Sequence, residues 1–160
     1  MNIRVATAAD AAAILALVPR LAEAGTPRGR DAGQIEARDV EAVRRAVQSH
    51  ATDERLLVAE QDQSIVGFIH VTTVTDYYTA SCIGHVSDLV VAAQAEGQGI
   101  GRALIEAGEQ WARSRGYRLM QLNVLVQNTA ARGLYERLGY AAEWLKYVKP
   151  LASDHQEGMS

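Results

Sequence analysis

The chain has 160 residues, a formal net charge of −3, 48% hydrophobic residues and 22% charged residues. This length suits one domain with a sizeable core, and the composition is ordinary for a soluble globular protein. A slightly negative chain without a basic run does not favour nucleic acid as a partner. We expect no membrane partner and a cytoplasmic location, because no apolar stretch could span a bilayer and the N-terminus lacks a signal-peptide core. The single cysteine excludes an internal disulfide framework and fits a reducing compartment.

The sequence of the first third of the chain predicts a short strand followed by two helices. Residues 3–6 form the strand pattern, and Thr7 is suited to cap the first helix. Pro19 interrupts the helical spacing, which predicts a kink or a break there. Residues 25–33 predict a flexible loop because glycine and proline are frequent in it. The apolar residues of the second helix recur at amphipathic spacing, at Ile35, Val40, Val43 and Val47.

The remaining elements alternate between strands and helices. Segments rich in Val, Ile and Leu predict strands at 55–60, 64–75, 81–91, 119–126 and 144–149. The first two of these form a hairpin joined at Gln61-Asp62-Gln63. Helical spacing predicts one helix from Ile100 to about Arg115 and another over 129–138. We expect a single domain over residues 1–151 and a disordered tail over 152–160.

A glycine-rich loop separates the strand at 81–91 from the helix that follows it. Its sequence is Glu96-Gly97-Gln98-Gly99-Ile100-Gly101. Glycines let backbone approach a ligand closely, and the first N–H groups of a helix attract an anion such as pyrophosphate. The loop is not a P-loop, because Arg102-Ala103 follows in place of Lys and Ser or Thr. It is not a Rossmann loop, because Arg102 occupies the third glycine position and the next strand ends in Gln127-Asn128 without an acid.

The loop resembles the acetyl-CoA loop of the GNAT N-acetyltransferases, usually written Arg/Gln-x-x-Gly-x-Gly/Ala. Gly99 and Gly101 occupy its two glycine positions. A second segment resembles the family's Asn-x-x-Ala-x-x-x-Tyr-x-x-x-Gly-Phe pattern, through Asn128, Ala131, Tyr135 and Gly139-Tyr140. Two motifs in order and at the right separation make the resemblance specific. It covers residues 85–150 closely, and the first half of the chain only in its order of elements.

The resemblance implies both a fold and an activity. The fold is α+β, with a mixed, mostly antiparallel central sheet of about six to seven strands and helices on both faces. The activity is direct transfer of the acetyl group of acetyl-CoA to a primary amine of a small molecule or peptide. The alternative from another class is a non-catalytic CoA-binding sensor or interaction module. The resemblance does not decide whether the donor is acetyl-CoA or another acyl-CoA, or whether the protein forms a homodimer.

The resemblance also implies which residues contact the acetyl-CoA cosubstrate. They lie at the end of the central strand, in the glycine loop and in the second motif: Leu89, Val90, Val91, Glu96, Gly97, Gln98, Gly99, Ile100, Gly101, Arg102, Asn128, Ala131 and Tyr135. Glu96 departs from the family, which usually has Arg or Gln there, and its carboxylate is unfavourable beside pyrophosphate unless it turns outward. Arg102 contacts a phosphate or is simply solvated, and Asn128 contacts the pantetheine arm or caps a helix.

Amine acetylation needs a donor for the carbonyl oxygen, a proton for the departing thiolate and a neutral amine. Backbone N–H near Val91 supplies this donor if the strand splays from its neighbour there, as it does in the family; otherwise Leu89, Val90 and Val91 are strand core. Tyr135 is the candidate general acid, and its alternative is packing in the core. His85 is the candidate base, against deprotonation through solvent, and Asp88 is expected to hold the charge of the acceptor. Strand alternation predicts that His85 and Asp88 point to opposite faces unless a bulge intervenes.

No metal site is expected from the sequence. Three histidines have no partners at metal-ligand spacing, at His50, His70 and His155. Cys82 lacks a second thiol, and we expect it in the core of the central strand rather than as a nucleophile, because direct transfer needs no covalent intermediate.

Overall fold

The structure is a computed structural model and describes residues 1–151; the expected disordered tail over 152–160 lies outside the described residues. Five strands form one sheet in the order β1-β2-β3-β4-β5. All neighbours are antiparallel except the parallel pair β4 and β5. The strands are β1 (Asn2–Val5), β2 (Glu54–Gln61), β3 (Ser64–Thr75), β4 (Cys82–Val91) and β5 (Met120–Leu122).

Helices cover both faces of this sheet, as expected. They are α1 (Ala11–Leu17), α2 (Ala32–Gln48), α3 (Ile100–Ser114) and α4 (Thr129–Arg137), with 3₁₀ turns at Ala8–Asp10, Val18–Ala22 and Ala93–Ala95. The break predicted at Pro19 is confirmed, because α1 gives way there to the 3₁₀ turn. The predicted helices at Ile35–Val47 and after the glycine loop are also confirmed, as α2 and α3.

The predicted hairpin is confirmed as β2 and β3. Asp62 and Gln63 connect the two strands with φ values of +49° and +64°. Two consecutive residues with positive φ form the tight turn whose twist matches that of a hairpin. The turn sets the pairing of the residues next to it, and a bulge between Ala59 and Glu60 shifts the register of the rest of β2 and β3 by one residue.

The sheet buries a different apolar cluster on each face. One cluster packs α1 and α2 against β2, β3 and β4, and its largest side chains are Ile14, Val18, Val43, Val58 and Phe68. The other packs α3 against the opposite face, and its largest side chains are Ile69, Ile100, Leu104, Ile105 and Trp111. Helical spacing predicts that Ile100, Leu104, Ala107 and Trp111 of α3 face the core; Ile100, Leu104 and Trp111 are buried, and Ala107 is partly buried against the same cluster.

The strand count is lower than the six to seven expected. Residues 144–149, predicted as a last strand, have no regular secondary structure. Their large side chains are exposed, Trp144 to 67% and Tyr147 to 89%. A segment with strand propensity forms a strand only where it can pair with the edge of a sheet. The edge strand β5, predicted over 119–126, forms a ladder of only three residues. The short edge leaves little backbone for a sixth strand to pair with.

Candidate active site

β4 and β5 separate beyond the point where they are paired. Their ladder joins Gly84, His85 and Val86 to three consecutive residues of β5 and ends there. A pocket of about 220 Å³ lies between the two strands beyond that point. Its walls come from β4, the chain after β5, α4 and the end of the first helical segment, and they include Leu21, Ala24, Val86, Ser87, Asp88, Leu89, Asn123, Val124, Leu125, Asn128, Ala131, Leu134 and Tyr135. The separation therefore creates a cleft between the last two strands of the sheet.

Backbone donors of β4 point into this gap. Neighbouring residues of an antiparallel strand direct their N–H groups to opposite sides. The Ala92 N–H donates to the Val66 carbonyl at the β3 side, at 2.8 Å. The N–H groups of Val91 and Leu89 therefore point away from β3, toward the side where β5 no longer pairs. This is the splay on which the expected donor near Val91 depends.

A β-bulge in β4 changes which residues share a face. His85 lies opposite Thr72 and Asp88 lies opposite His70, while Ser87 has no partner in the ladder. Thr72 and His70 are two residues apart and share a face, so His85 and Asp88 share a face as well. The alternation expected for a regular strand is wrong here, because the extra residue shifts the register by one. Both side chains point to the face covered by α1 and α2.

Of the two, Asp88 lines the pocket wall. His85 is half-buried beside β5, where its Nδ1 lies 3.3 Å from Gln121 Nε2. Burial lowers the pKa of His85, the Asp88 carboxylate partly opposes this, and His70 lowers it further, so that the pKa stays below its ordinary value. His85 is therefore neutral near pH 7.

The glycine loop forms a cradle with open space beside it. Gly97 and Gly99 adopt left-handed conformations, with φ of +74° and +77°, and a Cβ on either would meet no atom within 4 Å. Gly99 is the N-cap of α3, so the first N–H groups of that helix open onto the same space. At Gly101 a Cβ would lie 3.3 Å from Leu134 Cδ2, so glycine here allows close packing of α3 against the pocket wall. The cradle fits an anionic group such as a pyrophosphate.

The charged residues of the loop are already paired. The Glu96 side chain is 61% exposed and forms an ion pair with Arg20 from the turn after α1. The Glu96 carboxylate therefore points outward, and Arg20 balances its charge. A carboxylate beside an anion site must be placed in this way, because otherwise it would repel the anion. Arg102 pairs with Glu106 one turn along α3, at 2.8 Å, and is exposed. Gln98 is exposed between the two left-handed glycines.

The second motif lies across the pocket from β4. Asn128 caps α4, and its Oδ1 accepts a hydrogen bond from the Ala131 N–H at 3.2 Å. The expected cap is therefore present, and Asn128 also lines the pocket together with Ala131 and Tyr135. Burial raises the pKa of the Tyr135 phenol, which keeps it protonated at neutral pH. Its ring packs edge-on against Tyr140, with centroids 6.0 Å apart.

Two of the expected cofactor residues lie in the core instead of at a surface. The Val90 side chain is buried against Phe68, and the Ile100 side chain is buried under the sheet. Only their backbone can face a ligand. Cys82, expected in the strand core, is exposed at the first position of β4.

Sequence reasoning missed several residues near the site. Leu21 and Ala24 reach the pocket from a segment that is distant in the sequence, and no motif marks them. His70 contacts Asp88, and Glu54 contacts the other side of His70. Counting back from the hairpin turn would place Glu54 opposite Val71, but a bulge between Ala59 and Glu60 shifts the register by one and places it opposite Thr72, on the same face as His70.

Residues 1–151 contain neither a candidate metal site nor a helix that could span a membrane. Within that range no group of three or more His, Cys, Asp and Glu side chains could hold a metal ion. None of the helices described there is long and apolar enough to cross a membrane.

A mixed sheet that opens between two parallel strands, beside a glycine-capped helix, is the framework of an acetyltransferase fold. The sequence model described as the Acetyltransferase (GNAT) family matches residues 22–140. The chain belongs to this family.

Known proteins resemble the chain to different extents. An uncharacterised N-acetyltransferase of Bacillus subtilis, YhfO, is 29% identical over 140 residues, which is 88% of this chain and 89% of that protein. The mycothiol acetyltransferase of Salinispora tropica is 39% identical over 94 residues, which is 58% of this chain but only 30% of that protein. The crystal structure of a ribosomal-protein-alanine N-acetyltransferase from Brucella melitensis biovar Abortus superposes with a TM-score of 0.70 at 25% identity, covering 94% of this chain and all of the other.

Proposed function

We propose that this protein transfers the acetyl group of acetyl-CoA directly to a primary amine of a small molecule or peptide. The opening between β4 and β5 carries the proposal. Beside that one pocket lie the glycine-led N-terminus of α3, unpaired N–H groups of β4 and a buried tyrosine. Family membership supports the same reaction class.

The donor is bound mainly by backbone. The first N–H groups of α3, with the positive end of the helix dipole, bind the pyrophosphate of acetyl-CoA. The open space beside Gly97 and Gly99 admits it. The pantetheine arm follows the gap between β4 and β5, past Asn128 and Ala131. Acetyl-CoA supplies an activated thioester carbonyl to the pocket.

The pocket residues then serve the two sites of developing charge. The N–H groups of Leu89 and Val91 stabilise the carbonyl oxygen as the amine nitrogen bonds to the acetyl carbon. Tyr135 gives its phenolic proton to the sulfur as the carbon–sulfur bond breaks, and the second proton that the attacking nitrogen loses restores the phenol. The raised pKa of the phenol keeps it protonated at neutral pH, so that it can donate as negative charge develops on the sulfur.

The acceptor enters on the Asp88 side of the pocket. The Asp88 carboxylate binds the ammonium of the amine, and His85 on the same face takes the proton that the ammonium must lose before attack. The lowered pKa of His85 keeps it in the neutral, proton-accepting form at pH 7.

The test is release of free thiol from acetyl-CoA with a panel of amines: polyamines, amino acids, aminoglycosides and peptides. Thiol release that requires one of these amines, with the acetylated amine confirmed by mass spectrometry, supports the proposal. Propionyl-CoA in parallel shows whether the donor is restricted to acetyl. Tight binding of acetyl-CoA without turnover of any amine would favour the sensor alternative and contradict the proposal.

A further inference from the structure

Three ionisable side chains on neighbouring strands form a row beneath the pocket wall. They are Glu54 on β2, His70 on β3 and Asp88 on β4. His70 Nε2 lies 2.8 Å from Glu54 Oε2, and His70 Nδ1 lies 3.4 Å from Asp88 Oδ2. His70 is only 7% exposed, whereas Asp88 reaches the pocket. A buried imidazole thus separates two carboxylates, and only one of these faces the proposed substrate.

The register of the sheet creates this row. Glu54 lies opposite Thr72, two residues from His70 on the same face of β3. Asp88 lies directly opposite His70 because Ser87 is an extra residue in β4. Without the bulge Asp88 would point to the α3 face, away from His70. The feature that brings Asp88 to the acceptor side therefore also brings it to His70.

The row requires a particular charge on His70. Ionised carboxylates only accept hydrogen bonds, and a neutral imidazole has one N–H to donate. Only the imidazolium can donate toward both neighbours. Burial lowers the pKa of His70, but Asp88 and Glu54 more than reverse this, so the pKa is raised above its ordinary value.

The two ends of the imidazole differ. The contact with Glu54 has hydrogen-bond geometry, whereas the buried Nδ1 makes only a long ion-pair contact with Asp88 and lacks a hydrogen bond. Contacts of this kind often tighten when substrate binds. Glu54 therefore anchors the ring, and the Nδ1 end is aimed at Asp88.

The other titratable groups near Asp88 are neutral or acidic. His85 on β4 has a lowered pKa and is neutral near pH 7. On α2, Asp39 and Glu36 add negative charge: burial, and then repulsion from Asp88 and Glu36, raises the pKa of Asp39. Asp39 therefore adds negative charge near Asp88 from the helix side, and the imidazole that contacts the Asp88 carboxylate is that of His70 beneath it.

We propose that His70, anchored by Glu54, is a positioning residue that orients the Asp88 carboxylate on the pocket wall, where it binds the ammonium of the acceptor. This inference rests on the proposed acetyltransferase function and adds to it two residues that touch neither substrate.

Two substitutions of similar character separate positioning from simple structural support. The amide nitrogen of His70→Asn can occupy the place of Nδ1 and still donate to Asp88. That of His70→Gln can occupy the place of Nε2 and reaches only Glu54. Both are neutral amides in the same buried position, so we expect similar losses of unfolding stability.

Their kinetics should differ. In His70→Gln the KM for the amine acceptor should rise about 10-fold, because the Asp88 carboxylate loses the donor aimed at it. In His70→Asn the rise should be clearly smaller. The KM for acetyl-CoA should stay unchanged in both variants. As a readout independent of turnover, NMR should show the pKa of the His70 imidazole falling in Asp88→Asn.

The outcomes distinguish this inference from the proposed function. An active wild-type protein whose acceptor KM is unchanged in His70→Gln overturns the inference and leaves the function standing. Equal increases in the Asn and Gln variants indicate structural support alone and also overturn it. If the wild-type protein acetylates no amine, the proposed function fails, and the inference fails with it.

Discussion

The two halves of β4 differ in how they are paired. Residues 82–86 pair with β3, and residues 84–86 of these also pair with β5, whereas residues 88–91 pair with β3 alone and Ser87 between them is unpaired. The first half is closed and packed: at Gly84 a Cβ would collide with Met120 and lie 3.1 Å from Ala112. The second half lines a pocket and carries Asp88. A single strand therefore supplies core where its ladder is complete, and free donors where it is not.

This difference shows how a sheet becomes a site. Losing one neighbour leaves main-chain N–H groups without partners, which is costly in a core but useful next to a reacting carbonyl. The bulge at Ser87 lies at the boundary between the halves, and it turns Asp88 toward the acceptor side. The closed half fixes the position of the open half. Each of the following predictions tests one side of this contrast.

The largest effect is expected at the pocket. Tyr135→Phe keeps the ring and removes the proton, so kcat should fall by about 100-fold with little change in affinity for acetyl-CoA. Tyr140→Phe is the matched control: its hydroxyl donates to Glu109 at 3.0 Å and does not line the pocket. It should keep kcat. Full activity of Tyr135→Phe, with chemistry shown to be rate-limiting, would transfer the acid role to water or another residue.

In the closed half, Gly84→Ala should disturb packing rather than chemistry. The added methyl group collides with Met120, and such overpacking costs about 1–3 kcal/mol of unfolding free energy. Urea unfolding followed by tryptophan fluorescence measures it. The control is Gly133→Ala on α4, where the new Cβ meets only the flexible end of Arg137 and should be neutral or stabilising. Equal stability of the Gly84 variant and the wild type would show that this half is not tightly packed.

At the cradle, Gly99→Asp and Gly99→Asn form a pair that differs only in charge. Both residues tolerate the left-handed conformation, and no atom lies within 4 Å of the new Cβ. The aspartate should weaken acetyl-CoA binding about 10-fold more than the asparagine, because it places a carboxylate next to the pyrophosphate. Calorimetry compares the two dissociation constants. The same affinity in both would mean that the pyrophosphate lies elsewhere.

The smallest effect concerns the pH profile. As a base His85 must be neutral, so kcat/KM should fall when the pH drops through its pKa. Since burial, assisted by His70, holds that pKa below its ordinary value, the acidic limb should lie below about pH 6.5. His85→Ala should remove the limb. His50→Ala, which removes an exposed imidazole, should keep it. An unchanged profile in His85→Ala would eliminate His85 as the base.

The sequence predicted most of the framework from local patterns. Helix α3 follows from the spacing of Ile100, Leu104 and Trp111, and the hairpin follows from two apolar runs around Asp62 and Gln63. The last predicted strand, over 144–149, was wrong. Its composition favours a strand, but a strand also requires a paired edge, and the length of β5 is not set by the sequence of that segment.

The candidate site likewise has a part that the sequence predicted and a part that only the structure shows. The order and spacing of the glycine loop and of the motif from Asn128 to Gly139 identified the family and the cradle, because they depend on backbone geometry that local residue types dictate. Which side chains meet Asp88 was decided only in the tertiary structure. One unpaired residue, Ser87, reverses the facing of the residues that follow it in β4 and brings Asp88 to His70, while the register of β2 and β3 brings Glu54 to His70. Local sequence patterns determine helices and strands, whereas bulges and strand register depend on how all the strands of the sheet pair.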